Sequence, residues 1–278
     1  MLRGVFDRLM RRLRGRETWY WMGTHGIAVT RSGRKIFVPA GDLGVVPSIA
    51  LYGIWEPQVE AVLRRLIRPG FIVAEVGANV GYHTLVMASR VGAAGHVHTF
   101  EAHPRLLPLL RATLGANGMS GRRVTLHPCA ALDAPGRVSF AASHDQAGSG
   151  HLQVRATNAS YDSIYAERFE VEAVRMDDVL AQVPALDLLR MDAEGSEGLA
   201  LHGAAALIAR SPRLRIVTEW SPAMLAARTD PAELAAWLGG QGFRAWIITE
   251  AATLEPVAMS ALPGLPHGEL LLSRQDPG

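Results

Sequence analysis

The chain has 278 residues, 49% of them hydrophobic and 19% charged, so it can bury a sizeable core in one large domain or two small ones. A single cysteine, Cys129, excludes an internal disulfide and a cysteine-rich zinc site. No run of about 18 uncharged apolar residues occurs, and arginines interrupt the amino terminus before a signal peptide could form, so we expect a cytoplasmic protein.

The first 35 residues form a basic arm, with nine basic residues against two acidic ones, whereas the rest of the chain carries 19 basic and 24 acidic residues. Apolar residues in positions 1–14 recur at the spacing of one helix face. We expect this helix to dock on the rest of the chain, with peripheral contact to an anionic membrane as the alternative. Residues 15–47 indicate an irregular or β-rich leading segment. The predicted organisation is therefore an arm of residues 1–48 and a domain of residues 49–278.

From residue 71 onward, short apolar runs alternate with helical patterns. Strands are predicted at Phe71–Val76, Val97–Phe100, Val124–Leu126, Leu186–Met191, Leu214–Thr218 and Phe243–Thr249. Helices are predicted at residues 58–68, 81–91, 104–117, 196–210 and 231–241. Such alternation is typical of βαβ units, so the sequence predicts an α/β fold with a doubly wound, mainly parallel sheet.

Residues 137–175 depart from this alternation. Strand patterns at Arg137–Ala141 and Arg168–Val174 flank a polar loop, which indicates an insertion suited to binding a substrate. Its candidate contacts are His144, Ser149 and His151. Ordinary loop interactions are an equally open role for the two histidines.

The carboxyl-terminal part departs from the alternation as well. Phe243–Thr249 and Glu269–Ser273 predict two strands joined by a stretch rich in proline and glycine, without a helix between them. Strands connected without a crossover helix pair antiparallel, so we expect an antiparallel pair to close the sheet.

A glycine-containing turn follows the first strand, in the segment Glu75-Val-Gly-Ala-Asn-Val-Gly81. Its glycines let the backbone turn sharply and approach a ligand closely. Ligand contacts are expected from Gly77, Ala78, Asn79 and Gly81. A carboxylate after the second strand, Glu101, suits the paired hydroxyls of a ribose, whereas Glu75 suits a cationic group. No third glycine stands where a dinucleotide pyrophosphate needs one.

The two acids and the turn together favour S-adenosylmethionine, an adenosine that bears an ammonium and a sulfonium group. The alternative is a structural turn with two solvated acids.

Carboxylates also end two later strands, at Asp192 and Glu219, and Glu194 follows the first of them. Ligands of doubly wound sheets bind beyond the carboxyl ends of the strands, so we expect these acids to point into the crevice. Capping of the following helices is the alternative, and we prefer it for Glu197.

Together, these segments resemble the FkbM family of S-adenosylmethionine-dependent methyltransferases. The matching motifs are Trp55-Glu56-Pro57, Glu75 to Thr84, Phe100 to Pro104, Leu189 to Glu197, and Thr218-Glu219. The resemblance implies the Rossmann-like class I methyltransferase fold, S-adenosylmethionine as cofactor, and methylation of a hydroxyl on a sugar or a natural-product scaffold. The family pattern usually has Asp at the position of Glu75. In such folds the residues after the second and third strands border the adenosine, which adds Ala102 and Ala130 as cofactor contacts.

Methyl transfer to a hydroxyl requires a base that removes the hydroxyl proton. Asp192, also a predicted cofactor contact, can serve if Glu194 or Glu219 raises its pKa. Alternatively, these three acids hold a divalent cation that orients the acceptor, which Glu194 would also contact. His83 is a further catalytic candidate because it opens the helix after the glycine turn and could face the methyl group; a hydrogen bond to neighbouring backbone is its other role.

The predicted function is O-methylation of a small-molecule or glycan acceptor. A non-catalytic protein that binds cofactor or glycan, recruited to a membrane by the basic arm, is the rival. Methylation of a lipid, peptide or nucleic acid is a third interpretation. Nucleic acid is disfavoured because the chain beyond the arm is net acidic and no amino-methylating motif follows the fourth strand.

Overall fold

The structure, a computed structural model, describes residues 20–21, 23–143, 147–152 and 167–277. The strands of these residues are β1 Tyr20–Trp21, β2 His25–Val29, β3 Lys35–Pro39, β4 Ile72–Val76, β5 His96–Phe100, β6 Val124–His127, β7 Ala130–Ala131, β8 Gly136–Ala142, β9 His151–Leu152, β10 Glu167–Val174, β11 Leu188–Met191, β12 Arg215–Trp220, β13 Arg244–Ile248, β14 Leu254–Val257 and β15 Gly268–Ser273.

The α-helices of the same residues are α1 Val45–Tyr52, α2 Pro57–Leu66, α3 Tyr82–Val91, α4 Leu106–Ala116, α5 Met176–Val179, α6 Glu197–His202, α7 Ala205–Ala209, α8 Pro222–Leu225 and α9 Pro231–Gly240. Two short 3₁₀ helices span Ala147–Ser149 and Met259–Gly264. None of the helices in this described part is long and apolar enough to cross a membrane.

The central sheet has eight strands in the order β14-β13-β15-β12-β11-β4-β5-β6. Strands β4, β5, β6, β11 and β12 are parallel, and β15 runs antiparallel to both β12 and β13. The doubly wound sheet of the class I methyltransferase fold and its antiparallel closing strand are thus confirmed. Chain order reverses between β4 and β11, and ligands of such sheets bind at the carboxyl ends of the strands beside this reversal.

Helices cover both faces of the sheet because its strands are apolar on both sides. Val73 and Leu188 pack under α2, α3 and α4, whereas Ala74 and Leu189 pack under α6, α7 and α9, and all four are fully buried. Parallel strands with near-continuous apolar runs require this two-sided cover. The loops at the carboxyl end of the sheet are left to form a site.

The leading segment is β-rich, as expected, and packs on the body. Strands β1, β2 and β3 form an antiparallel sheet. The backbone N–H of Phe37 donates to Thr113 Oγ1 on α4 at 2.9 Å, and Ile36 is fully buried in the same core as α4. The predicted boundary at residue 48 falls inside α1, and the division into arm and domain stays a prediction. The predicted amino-terminal helix lies outside the described residues.

The helices differ from expectation at α1 and at residues 196–210, and the short helices α5 and α8 were not predicted either. Helix α1 was not predicted, since residues 15–47 indicated an irregular or β-rich segment. Its Pro47 lies in the first turn, where the missing N–H costs no hydrogen bond. The single helix expected at residues 196–210 is two helices, α6 and α7, interrupted at Gly203. A Cβ at Gly203 would lie 1.8 Å from the carbonyl oxygen of Leu132, so the chain approaches the end of β7 too closely for a side chain.

The carboxyl-terminal connection contains one strand more than predicted. The stretch between β13 and β15 forms β14, whose Pro256 is paired with Trp246 of β13. Proline removes a backbone donor and therefore suggests a loop, but β14 is an edge strand, where proline is tolerated.

The insertion forms a second sheet in the order β7-β10-β8-β9. Strands β8 and β10, which match the two predicted strand patterns, pair antiparallel. Residues 144–146 and 153–166 of the insertion lie outside the described residues.

Candidate functional site

A cavity of about 620 Å³, here the main cavity, lies at the carboxyl ends of β4, β5 and β11. Its lining includes Gly77, Glu101 and Asp192, each directly after one of these strands, and Ala130 of β7. The main cavity therefore occupies the place that the reversal of strand order predicts for a ligand.

The glycine turn forms one wall of the main cavity. Gly77 has φ +82°, and a Cβ there would lie 1.8 Å from the carbonyl oxygen of Asp192, so only glycine fits. The N–H groups of Gly77 and Ala78 both donate to the carbonyl of Phe100, at 3.0 and 3.1 Å. At Gly81 a Cβ would lie 2.7 Å from Leu110 Cδ1. The turn is thereby tied to β5 and β11, the strands that carry the two acids of the site.

Glu101 is a buried carboxylate on the wall of the main cavity. Its Oε2 accepts from the N–H of Asn79 at 2.6 Å and its Oε1 from the N–H of His103 at 2.7 Å. Burial, with the charge of Glu75, raises the pKa of Glu101 to about 7 against the opposing effect of these N–H groups. Each oxygen has a second lone pair, so the carboxylate can accept two further hydrogen bonds from a ligand.

The wall beyond Glu101 is mainly apolar. Ala102, Cys129, Ala130 and Phe140 line this end of the main cavity. Burial, with the charge of Glu172, raises the pKa of the Cys129 thiol to about 11, so Cys129 is a packing residue and not a nucleophile. A flat apolar ring fits this end.

The other end of the main cavity is a tight loop after β11. Asp192 and Glu194 line it, and Glu194 has φ +52°. Glu197 accepts from the N–H of Ala193 at 2.7 Å and from that of Gly195 at 3.4 Å. Glu197 therefore holds the loop in shape, which is the structural role preferred for it from the sequence.

A second cavity of about 260 Å³ adjoins the first and shares Gly77, Asn79 and Asp192 with it. Ala78, His83 and Arg190 complete its polar end. His83 Nε2 lies 2.9 Å from Glu56 Oε2. The structure thus brings His83 beside Asp192, in the second cavity and not in the main one.

Arg190 is the buried centre of this region, and only 4% of it is exposed. Its guanidinium donates to Asp192 Oδ2 at 2.9 Å, to the carbonyl of Gly77 at 3.0 Å and to Glu56 Oε2 at 3.3 Å. Burial lowers the pKa of Arg190, but the surrounding carboxylates, Asp192 first, outweigh it and raise the value. Arg190 therefore stays charged and ties three loops together.

Glu75 does not lie where the sequence predicts. It is fully buried, its Oε2 accepts from Thr84 and Thr99 at 2.5 and 2.7 Å, and its Oε1 lies 3.9 Å from Arg190. The next residue, Val76, lines the main cavity, and successive strand residues point to opposite faces. The cation beside Glu75 is thus Arg190 of the chain itself, whereas Asp192 lines the main cavity.

Glu219 lies apart from both cavities. It is paired across the sheet with Glu269 of β15, and its Oε1 is 3.6 Å from His267 Nδ1. Burial, with the charges of Asp192 and neighbouring glutamates, raises the pKa of Glu219 to about 10. This position does not support the catalytic role expected for Glu219.

The raised pKa of Glu219 has a consequence for stability. From the ordinary value of 4.5 up to about 10, the folded state holds a proton that the unfolded state releases, so rising pH lowers stability. Glu219→Gln has no such proton. The quantity compared is the Tm of Glu219→Gln minus the Tm of the wild type. We expect this difference to be larger at pH 9 than at pH 5 by at least about 3 °C, which corresponds to roughly 1 kcal/mol for a chain of this size. Thermal unfolding at the two pH values measures this; an equal difference at both would contradict the burial of an uncharged Glu219.

The insertion covers the main cavity with small residues. Gly148, Gly150 and Leu152 line the cavity, and a Cβ at Gly148 would lie 2.9 Å from Asn79 Nδ2. Ser149 and His151, the predicted substrate contacts, are not in the lining; His151 Nδ1 bonds to the Ser149 carbonyl at 2.9 Å. His144 lies outside the described residues.

The three acids proposed as cation ligands, Asp192, Glu194 and Glu219, do not form a metal site. Among the described residues, no group of three or more His, Cys, Asp or Glu side chains has the arrangement to hold a metal ion. Arg190 pairs with one oxygen of Asp192, Oδ2, at 2.9 Å.

The sequence matches the family described as Methyltransferase FkbM domain over residues 75–245, more than half of the chain. The chain belongs to the FkbM methyltransferase family. Its cofactor is S-adenosylmethionine.

Individual relatives of this FkbM methyltransferase match over parts of their length. It is 30% identical to 31-O-demethyl-FK506 methyltransferase FkbM of Streptomyces tacrolimicus over 49% of this chain and 60% of that protein. It is 36% identical to a protein-L-isoaspartate O-methyltransferase of Methanothrix thermoacetophila over 31% of this chain and 45% of that protein. The crystal structure of a methyltransferase FkbM from Methylobacillus flagellatus shares 15% identity and a TM-score of 0.46, covering 77% of this chain and 50% of that one. The chain thus spans about half the length of the curated relatives it matches.

The main cavity of this FkbM methyltransferase has the donors and acceptors that the cofactor requires. Glu101 offers acceptors for ribose hydroxyls, the alanine-rich wall suits adenine, and Asp192 offers a carboxylate to an ammonium group. The Ser196 hydroxyl on the same wall is buried without a partner among the described residues. These residues therefore fit the cofactor, and the Ser196 hydroxyl is an additional polar group on the wall of the main cavity.

Arg190 and Glu56 are functional residues that the sequence analysis missed. Arg190 stands in a buried strand between apolar residues, and a charge in that position is itself a signal, because an arginine is seldom buried without carboxylate partners. Glu56 was visible only as part of the Trp-Glu-Pro motif, with no indication of its partner.

Proposed function

We propose that the protein is an S-adenosylmethionine-dependent O-methyltransferase that methylates a hydroxyl of a sugar, a glycan or a glycosylated natural product. The observation that carries the proposal is the buried carboxylate of Glu101 on a cavity that ends at Asp192. A relative from the same family is named for methylation at an oxygen of a natural product, which supports this acceptor class.

The chain's residues divide the work of holding the cofactor. Glu101 accepts from the ribose hydroxyls, the wall of Ala102 and Ala130 packs on the adenine, and Asp192 holds the ammonium end. When bound, S-adenosylmethionine supplies a methyl group, which bonds to the acceptor oxygen as the carbon–sulfur bond breaks and leaves its electron pair on sulfur.

Positioning and exclusion of water are the other tasks. Gly148 and Gly150 of the insertion form part of the wall of the main cavity. Arg190 fixes Asp192 and the Gly77 carbonyl relative to each other. An oxygen and a methyl group held at about 3 Å in a closed site need little further reorganisation to react.

The charge at the acceptor end favours a neutral hydroxyl over a carboxylate. Asp192 and Glu194 both line this end. Carboxylates accept hydrogen bonds from hydroxyls but repel an anionic acceptor. The isoaspartate methyltransferase relatives are named for a carboxyl-bearing substrate. Burial and neighbouring acids, Asp192 first, raise the pKa of Glu194 to about 8, so Glu194 repels such an acceptor only above about that pH.

The test is transfer of label from S-adenosyl-[methyl-³H]methionine to a panel of acceptors. The panel contains glycosylated macrolides, free disaccharides, an isoaspartyl peptide and total RNA. We expect label in an alkali-stable ether on one of the sugar-bearing acceptors. Label only in an alkali-labile ester of the peptide would contradict the hydroxyl acceptor, and cofactor binding without transfer to any member would favour a non-catalytic binding protein.

A further inference from the structure

We propose that His83 Nδ1 is the base that removes the acceptor's hydroxyl proton, and that Glu56 is the positioning residue that orients His83 for this task. The proposal rests on the function proposed above. It replaces Asp192 as the base.

The two side chains come from the starts of neighbouring helices. Glu56 precedes α2 with φ +43°, a left-handed conformation that Pro57 follows at the first helical position. His83 lies in the first turn of α3 and is 3% exposed. His83 Nε2 and Glu56 Oε2 are 2.9 Å apart. This local backbone strain is of the kind found where a side chain must be held in one place.

The hydrogen bond determines which ring nitrogen is basic. An ionised carboxylate only accepts, so Nε2 of the neutral ring carries the hydrogen and Nδ1 keeps its lone pair. Nδ1 is buried and has no hydrogen-bond partner among the described residues. Nδ1 is therefore an unsatisfied acceptor on a residue that lines the second cavity.

Glu56 is ionised because two neighbouring side chains, His83 and Arg190, form hydrogen bonds with its carboxylate. Burial favours its neutral form, but the hydrogen bonds to His83 and Arg190 and the charge of Arg190 oppose burial and lower the pKa of Glu56. Arg190 Nη2 lies 3.3 Å from the same oxygen that faces His83. Once the ring takes the proton, the ionised carboxylate stabilises the imidazolium, as in other carboxylate–histidine pairs.

Asp192 is a poorer base in this setting. Burial, with the charge of Glu56, raises the pKa of Asp192 against the opposing charge of Arg190. Its Oδ2 nevertheless accepts from Arg190 at 2.9 Å, and a proton bound there would lose that ion pair. Asp192 and His83 line the same second cavity, which joins the main cavity at Asn79 and Gly77. An acceptor hydroxyl in the second cavity would therefore meet His83 next to the carboxylate that holds the cofactor's ammonium end. The proton released as its oxygen gains the methyl group goes to Nδ1.

The first test uses the protein without cofactor or acceptor. In ¹⁵N-histidine-labelled protein, the His83 signals are identified by their loss in His83→Asn. We expect the Nε2–H tautomer in the wild type and loss of that preference in Glu56→Gln. A wild-type ring with hydrogen on Nδ1, or a tautomer unchanged in Glu56→Gln, would overturn the dyad.

The second test measures single-turnover methyl transfer to the acceptor found with labelled cofactor. We expect Glu56→Gln to lower the rate by about 10²-fold or more, the usual contribution of an oriented base, while the Kd for S-adenosylmethionine changes less than about twofold. Glu56→Asp keeps a carboxylate and should recover part of the rate. The matched control is Glu60→Gln on the same helix, where Glu60 bonds to the Tyr82 hydroxyl outside this dyad.

The outcomes separate the two proposals. Equal rates for the wild type, Glu56→Gln and Glu60→Gln would overturn the dyad and leave the methyltransferase function intact. A wild type that transfers no methyl group to any acceptor would overturn the proposed function, and the base with it, whatever the tautomer of His83.

Discussion

Replacing Glu101 by glutamine is expected to weaken S-adenosylmethionine binding by at least about 100-fold. The carboxylate would accept from both ribose hydroxyls, and hydrogen bonds to a charged group contribute about 1.5–3 kcal/mol each. Glu101 now accepts hydrogen bonds from the N–H groups of Asn79 and His103. The substitution also places an amide NH₂ against one of these two N–H groups. Loss of the hydrogen bonds to the ligand and distortion of the glycine turn therefore both weaken cofactor binding.

Isothermal titration calorimetry with S-adenosylmethionine and S-adenosylhomocysteine measures this loss. Glu60→Gln is the control, because it makes the same chemical change in a helix that does not line the main cavity. Wild-type affinity should fall as the pH drops below about 7, where Glu101 takes up a proton, and the variant should lack this part of the pH dependence. Unchanged affinity in Glu101→Gln would show that the ribose lies elsewhere.

Gly77→Ala is expected to destabilise the fold by roughly 3–5 kcal/mol and to abolish cofactor binding. An added Cβ would lie 1.8 Å from the carbonyl oxygen of Asp192, and φ of +82° disfavours any L side chain. The backbone on both sides is held by strands β4 and β11, so the clash cannot be relieved by moving a flexible side chain. Separation of the turn from the Asp192 loop would open the main cavity.

Gly70→Ala separates the effect of backbone strain from the effect of the steric clash. Gly70 has φ +87°, but a Cβ there meets nothing within 4 Å, so the variant has the backbone strain without the clash and should cost about 1–2 kcal/mol. Urea unfolding of both variants measures the difference. Equal losses of stability in Gly70→Ala and Gly77→Ala would mean that the turn is not packed against Asp192 as described.

The fold could be predicted from the sequence because its signals are local. Apolar runs that end in glycine or an acid mark the strands, and the periodic segments between them mark the helices. The interruption at Gly203 could not be predicted, because the reason for it is the carbonyl of Leu132, about 70 residues earlier in the chain. Strand β14 was not predicted because it contains a proline, which is tolerated in an edge strand. That β14 is an edge strand is known only from the order of the strands in the sheet.

The site could be predicted only in part. Glu101 and Asp192 were placed at the cavity because each follows a strand of a doubly wound sheet. Glu75 was misplaced because it is one residue before the end of β4, and a shift of one residue turns a side chain to the other face. The pairing of Arg190 with Glu56 joins residues 134 positions apart, and no spacing in the sequence indicates it.

The most direct measurement is a crystal structure of the protein with S-adenosylhomocysteine. The account predicts both ribose hydroxyls on Glu101, adenine against Ala130 and the amino group at Asp192, with the sulfur facing the junction of the two cavities. An electron density map that shows the nucleoside outside the main cavity, or its ribose away from Glu101, would contradict the account.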